Sequence, residues 1–473
     1  MAVDTINSLM VNFLVYSRRV LAVFQAAIDE AKTAQTDKIA VATLPIMGAF
    51  PELNVIRQGA ILSPVFYVND PQRNVEMLSI GAEVMREFHG PDAIAQARTT
   101  FQEDLLNQAG DKLASPLFYG GFAFAPGNVR AGVWQSWPDG IWVWPRWQWV
   151  KEGGRVSLVV SHRITPDDNA EDLFRDLQAD LQRMAEVDEV QVVATRSPVV
   201  IADESSQADS WKTAVTQTVQ DIRMGKLEKV VLARKITFQA DGGFDGIVAL
   251  QHLKATNPTS VCFYLHDGND VFLGATPERL VETQKSQVSI DCLAGTAPRG
   301  LTPAEDEELG RELLHSAKDL NEHQLVRTGI LASVQNAAKV SAPLTPSLRK
   351  FTHVQHLFTP IRGDLIAGKS LFDLVEQLHP TPAVAGLPKD LASQSILQRE
   401  QMDRGYYAGP IGWMDREGNG TFVVALRSGL LTGEKAELYA GAGIVSDSDA
   451  EAEWTETEWK FTPMKVALGV DLK

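Results

Sequence analysis

The sequence predicts an α+β protein, and three observations carry that reading. Short β-branched runs recur with hairpin-like spacing, as in "SVCFYLH", "DVFLGA", "RLVETQ" and "VSIDCLAG", which argues for antiparallel pairing over βαβ crossovers. Long segments with apolar residues at helical spacing interrupt those runs. A content of 44% hydrophobic and 22% charged residues over 473 positions is that of a packed globular protein.

Taken in order, "LMVNFLVYSRRVLAVFQAAI" reads as an N-terminal helix packed on the protein. Arg18 and Arg19 at its centre make membrane spanning costly, and no small-residue cleavage pattern closes the run to mark a signal peptide. "SPVFYVND" and "RVSLVVSHRIT" read as strands. "WVWPRWQW" puts Trp142 with Trp144, and Trp147 with Trp149, on period-two positions broken by Pro145. "DLFRDLQADLQRM" carries Leu173, Leu177, Leu181 and Met184 at helical spacing. The polar stretch "ADESSQADS" at 202–210 is the best boundary, dividing a region 1–205 from a region 206–465. Beyond it Trp211, Val215, Val219 and Ile222 form a helical stripe, with Gly225 as its stop. "LEKVVLARKITF", "GTFVVALRSGLL" and "AELYAGAGIV" read as further strands.

A net charge of -16 argues against nucleic-acid binding, which calls for a basic stripe, but leaves room for an anionic small molecule held by a few local cations. Cys262 and Cys292 are too few and too far apart for a disulfide framework or a zinc site. That fits a reducing cytosol, so a cytoplasmic location is expected.

Two acidic segments are candidates for chemistry. In "DAEAEWTETEWKF", residues 449–461, a step of about 100° per residue puts Glu453, Glu456, Thr457 and Lys460 on one helix face. Glu451 and Glu458 point to nearly the opposite side and are expected in solvent. Trp454 and Phe461 form an apolar flank that would turn Glu453 and Glu456 inward. Inward carboxylates need neutralising, and a hard dication is one solution; the plainer alternative is a solvated surface helix. In "SAKDLNEHQLV", Ser316 is the expected N-cap with Asp319 at N3, and Asp319 shares a face with Glu322. "TPAE" at 302–305 is a capping box with no catalytic role assigned.

Lys229 opens an apolar strand; it either snorkels or, if buried, becomes available as a general base. Glu278, after Pro277, is either a general acid or an exposed turn residue. "LAGTAPRG" and "YAGAGI" can bring backbone N–H groups close to an anion, but neither fits a Rossmann or P-loop pattern. Arg427 is the best single candidate for a bidentate carboxylate clamp. His356 could be a ligand, an acid or a satisfied core histidine.

In this order, "KVVLAR", "GATPERLV", "LAGTAPRG", "SAKDLNEH", "VQHLF", "HPTPAVAGLPK", "RGYYAGPIGW", "VALRSG" and "AGAGIVSDSDAEAEWTETEWK" resemble the chorismate-utilising enzymes over about residues 206–465. Within that family the chain looks like the isochorismate synthases. The resemblance implies large antiparallel sheets packed as a sandwich with helices outside, the N-terminal region completing the same structure. It implies Mg2+ as cofactor, with Glu322 and Glu456 as direct ligands, and Asp319 and Glu453 as companions acting directly or through water. It implies Lys229 as the base that activates water and Glu278 as the acid for the departing hydroxyl. Arg427 and Tyr407, with backbone around Gly441 and Gly443, would hold the enolpyruvyl carboxylate. Gly295 and Thr296 would line the site, and Lys460 and His356 would touch substrate.

Ala294 stands where aminodeoxychorismate synthases carry a nucleophilic lysine, and "HPTPAVAGLPK" differs from the "HPAGTVSG" type of anthranilate synthases. Cys292 departs from the proline common in several relatives. The implied partner is chorismate, with neither nucleic acid nor membrane, in a monomer or homodimer. The alternatives are a salicylate or anthranilate synthase that releases pyruvate, or an inactive chorismate-binding protein.

Overall fold

The computed structural model describes the chain apart from residues 1–9, 12, 47–48, 111–116, 188–198, 201–203, 353 and 471–473. Its strands form one connected network, antiparallel in every pairing but that of Lys38–Ile46 with Gln108–Gly110. One sheet runs from Lys38–Ile46 through Arg155–Ile164, Gly140–Glu152, Val75–Phe88, Val65–Asp70, Val261–His266, Val271–Thr276, Ser428–Thr432 and Lys435–Ile444 to Lys229–Gln239. A second runs from Gly140–Glu152 through Phe118–Phe122, Pro410–Met414, Gly420–Val424, Arg279–Gln284 and Gln287–Pro298 to Val354–Leu365. Strands of the N-terminal half thus pair with strands of the C-terminal half in both sheets.

Alternation along each strand divides the apolar residues between two cores. Phe66 and Val68 face the layer between the sheets, whereas Val65 and Tyr67 face an outer layer. Helices Ser17–Ala34, Ala170–Ala185 and Gly246–Thr256 cover that outer face with Phe24, Leu177 and Leu250. The tryptophan strand contributes to both cores. Trp142 and Trp144 lie in the inner core, and Trp147 and Trp149 in the outer one. The register of the neighbouring strand shifts between Ala82 and Val84, opposite Pro145 and Trp144. The extra residue, Glu83, sits on that neighbouring strand; in the tryptophan strand the two pairs lie on opposite faces by plain alternation. It serves both sheets by pairing with Phe118–Phe122 over its first residues and with Arg155–Ile164 over its last.

Two of the stretches read from the sequence take a more definite form. Most of the polar stretch 202–210 is the start of the helix Glu204–Arg223, which buries the stripe of Trp211, Val215, Val219 and Ile222. "GTFVVALRSGLL" is two strands, Gly420–Val424 and Ser428–Thr432, that lie in different sheets. The same holds for Val271–Thr276 and Arg279–Gln284. The sheets therefore part at two neighbouring breaks, 277–278 and 425–427.

Trp147 is fully buried against Phe13 and Trp149 beneath the outer helices. Trp147→Ala is expected to cost about 3–5 kcal/mol through lost burial and the cavity left behind, read as a lower urea midpoint at unchanged slope.

Candidate active site

The two breaks are tied to each other. Val424 N–H donates to the Glu278 carbonyl at 3.0 Å, Ala275 N–H to the Arg427 carbonyl at 3.2 Å, and the Thr276 hydroxyl to the Val424 carbonyl at 2.6 Å. Arg427 takes a φ of 49°, a left-handed conformation that costs a non-glycine residue energy and persists only where the surroundings impose it. Both side chains are buried at the seam. Burial pushes the Glu278 carboxyl up from 4.5 to about 7, the nearby Lys229 and Arg427 only partly offsetting it. Among the described carboxylates none forms an ion pair with Arg427, and burial makes its charge costly. A buried, unpaired guanidinium facing open space is a seat for an anion.

Strands Lys229–Gln239 and Lys435–Ile444 pair so that Val231 lies opposite Gly443. A Cβ on Gly443 would stand 2.3 Å from Glu322 Oε1 and 3.0 Å from Lys229 Cε. Only a glycine leaves room there for the Lys229–Glu322 ion pair, 2.9 Å long. Lys229 does not snorkel; it is 1% exposed. Burial would raise Glu322, but Lys229 brings it below the ordinary carboxylate value.

Glu322 and Asp319 sit in helix Ala317–Val334, capped by Ser316, whose hydroxyl takes the Asp319 N–H and bonds the Asp319 carboxylate. Glu453 and Glu456 sit in helix Ala450–Ala467, capped by Asp449. Lys318 reaches Glu453 at 2.7 Å, and Lys460 reaches Glu456 at 2.6 Å and the Gly441 carbonyl at 2.8 Å. Burial and the neighbouring Glu456 push Glu453 up to about 7. Burial, with Glu322 and Glu456 adding to it, raises Asp319 as well. Burial would lower Lys318, yet Glu453, Glu456 and Glu322 together raise it. One ammonium is thus already drawn into a cluster with more negative charge than it can neutralise. Among the described residues no three His, Cys, Asp or Glu side chains converge as a ready-made cage. The donor set of oxygen acids, the surplus charge and the lysine lodged in it nevertheless fit a hard dication.

The other predicted residues gather at the same place. Strand Gln287–Pro298 bulges between Ala294 and Thr296, with Gly295 at φ 80° and its missing Cβ 3.0 Å from that of Asp319. The Thr296 hydroxyl meets His356 Nδ1 at 3.0 Å. Burial, with Arg427 and Lys460 nearby, keeps His356 well below its usual value, hence neutral. Burial raises Tyr407 to about 12, so it keeps its proton as a donor.

A cleft with about 640 Å3 of empty space, open solvent included, is lined by Glu278, Gly295, Thr296, Glu322, His356, Tyr407, Arg427, Gly441, Gly443, Glu456 and Lys460. Lys229 adjoins the cleft through Glu322, while Asp319 and Glu453 are outside its lining. Ala294 lines it with no amine. The sequence reading missed Ala383, Val384 and Arg404, which also line it; they lie inside the quoted "HPTPAVAGLPK" and "RGYYAGPIGW", but nothing in their spacing singles them out.

Glu451 is exposed, as expected, and paired with Lys212. Glu458 is not in solvent. It is half-buried, bonded to the buried Arg234 and, at 2.8 Å, to Lys465. Arg234 lies 3.5 Å from the Trp454 ring and fixes the outer side of the helix, which explains one of the two indoles.

Comparison with known proteins points to one family. A family model described as chorismate binding enzyme matches residues 26–469. The chain is 34% identical to the isochorismate synthase MenF of Bacillus subtilis over 85% of this chain and 88% of that protein. It is 35% identical to the salicylate biosynthesis isochorismate synthase of Pseudomonas aeruginosa over 86% and 85%. It superposes on the menaquinone-specific isochorismate synthase MenF of Escherichia coli with a TM-score of 0.78 and 25% identity, covering 93% of this chain and all of that one.

A carboxyl raised in the folded state stabilises the fold below its unfolded value and loses that contribution as pH rises through the folded one. Without divalent metal, Glu278 should therefore lower stability by roughly 3 kcal/mol between pH 4.5 and a little above 7. Urea titrations of the protein and of Glu278→Gln should diverge across that window, the variant gaining relative stability; parallel curves would show Glu278 to be ionised throughout.

Proposed function

The chain belongs to the chorismate-binding enzyme family, and on that premise we propose that it is an isochorismate synthase, an isomerase that moves the hydroxyl of chorismate from C4 to C2. The observation that carries this reading is the seam: a carboxyl held near neutrality and an unpaired guanidinium share one cleft. The first can give a proton to a departing hydroxyl at neutral pH, and the second can hold a carboxylate.

In this reading Lys229 takes a proton from the water that attacks C2, and Glu278 protonates the hydroxyl leaving C4, so that one water enters as another departs. Solvent then restores both groups. Arg427, Tyr407 and the backbone at Gly441 and Gly443 hold the enolpyruvyl carboxylate. Lys460 and His356 make further substrate contacts, and Gly295 and Thr296 shape the wall. The base begins one strand and the acid sits in the break after another, which keeps them from neutralising each other. Glu322 and Glu456 would hold Mg2+ directly, with Asp319 and Glu453 beside them. When bound, Mg2+ supplies the positive charge that lets a ring carboxylate approach four acids.

Ala294 gives no side chain for direct amine attack. The full-length likeness to menaquinone-specific MenF supports menaquinone biosynthesis as the pathway, and two free buried cysteines suit a cytoplasmic setting. Among the described residues no helix is long and apolar enough to cross a membrane.

Chorismate and Mg2+, with and without ammonium, should give isochorismate and no pyruvate; stoichiometric pyruvate without an added lyase would make the protein a salicylate or anthranilate synthase instead. Lys229→Ala should lose about 10²–10⁴-fold in turnover in protein that still folds, whereas near-normal turnover would remove it as the base. Glu456→Gln should raise the Mg2+ requirement by more than about tenfold and Glu451→Gln leave it alone; equal effects would dismiss the proposed metal seat.

A further inference from the structure

Arg404 is a buried wall residue of the cleft, and each nitrogen of its guanidinium is already engaged. Nε donates to Glu400 at 2.8 Å, Nη1 to the Val384 carbonyl at 3.0 Å, and Nη2 to the Val231 carbonyl at 2.9 Å and to the second oxygen of Glu400. That same Glu400 oxygen accepts the Ala233 N–H at 2.7 Å. The guanidinium also lies 4.1 Å from the Phe124 ring and 5.9 Å from the Tyr407 ring. With side chains 3% and 2% exposed, Arg404 and Glu400 form a buried ion pair whose remaining hydrogen bonds are spent on backbone. This sets Arg404 apart from Arg427, which keeps its fork free for an anion.

The carbonyls it grips matter because of where they lie. Val231 is two residues along the strand from Lys229. Val384 belongs to the segment that continues into Gly386–Leu387, and Leu387 pairs with Lys229 itself. Val231 N–H closes the connection by donating to the Ala385 carbonyl at 2.7 Å. On the far side, the Gly405 carbonyl accepts the Phe124 N–H at 2.8 Å, fixing the turn that carries Tyr407.

We propose that Arg404 is a positioning residue: it clamps segment 383–387 and the Tyr407 turn against the strand that starts at Lys229, and so sets where the base stands relative to the bound ring. The catalytic part of this inference rests on the function proposed above; the clamp itself does not. A lysine could keep the charge beside Glu400, but its single ammonium cannot reach three directions in one plane.

The test compares the full-length protein with Arg404→Lys and with Glu400→Gln. Arg404→Lys should lower kcat by about 10²-fold with KM for chorismate within about threefold, since it shifts a reacting group without removing a substrate contact. Amide hydrogen exchange at Val231 and Ala233 should speed by more than about tenfold, with residues 235–239 unchanged. Should Arg404→Lys fail to fold, Glu400→Gln should show the same pattern at smaller amplitude. A rise in KM with kcat preserved would make Arg404 a substrate ligand and overturn the proposal, as would unchanged exchange at Val231 and Ala233. If the unmodified protein makes no isochorismate, the functional reading falls, while the exchange data still decide whether the clamp exists.

Discussion

Two strand breaks hydrogen-bonded to each other govern the chemistry this molecule can do. Where Thr276 leads through Pro277 to Glu278, and Val424 through Ala425 and Leu426 to Arg427, the chain leaves one sheet for the other. The backbone bonds between the breaks satisfy polar groups that would otherwise be buried alone. They also hold an acid and a guanidinium in place without joining them. Had the two been paired, Glu278 would be ionised and Arg427 neutralised, and neither would be available to a substrate.

The second constraint is charge. Asp319, Glu322, Glu453 and Glu456 come from two helices and meet Lys229, Lys318 and Lys460. Buried charges are tolerable when paired and hydrogen-bonded, and costly otherwise. Glu322 and Glu456 each have a lysine close by, yet Glu453 and Asp319 are pushed upward despite their partners. The fold thus keeps a cluster that is short of positive charge. Such local cost, carried by a sandwich whose two cores are otherwise apolar, is expected of a site that waits for a ligand.

Much of this was legible in the residues. Helical geometry alone separated Glu453 and Glu456 from Glu451 and Glu458, and the Ser316 cap placed Asp319 correctly. What a helical wheel cannot report is the neighbour across the gap. Glu458 points away from the cleft as expected, but the strand carrying Arg234 packs there, so the expected solvent is a buried cation. Residues 202–210 showed only their polarity, because a helix start is as polar as a loop. The break at Arg427 was hidden because "GTFVVALRSGLL" is apolar and β-branched on both sides of it, and change of sheet leaves no periodic signal. Arg404 was passed over for a related reason: its role lies in the carbonyls of Val231 and Val384, both distant in sequence.

The most direct measurement is a crystal structure with Mg2+ and chorismate bound. The account predicts one ion shared by Glu322 and Glu456 oxygens at about 2.0–2.1 Å, the ring acid on that ion, and the Arg427 fork on the other carboxylate with Glu278 beside C4. An ion bound elsewhere, with Glu322 still on Lys229 and Arg427 touching no part of the ligand, would contradict it.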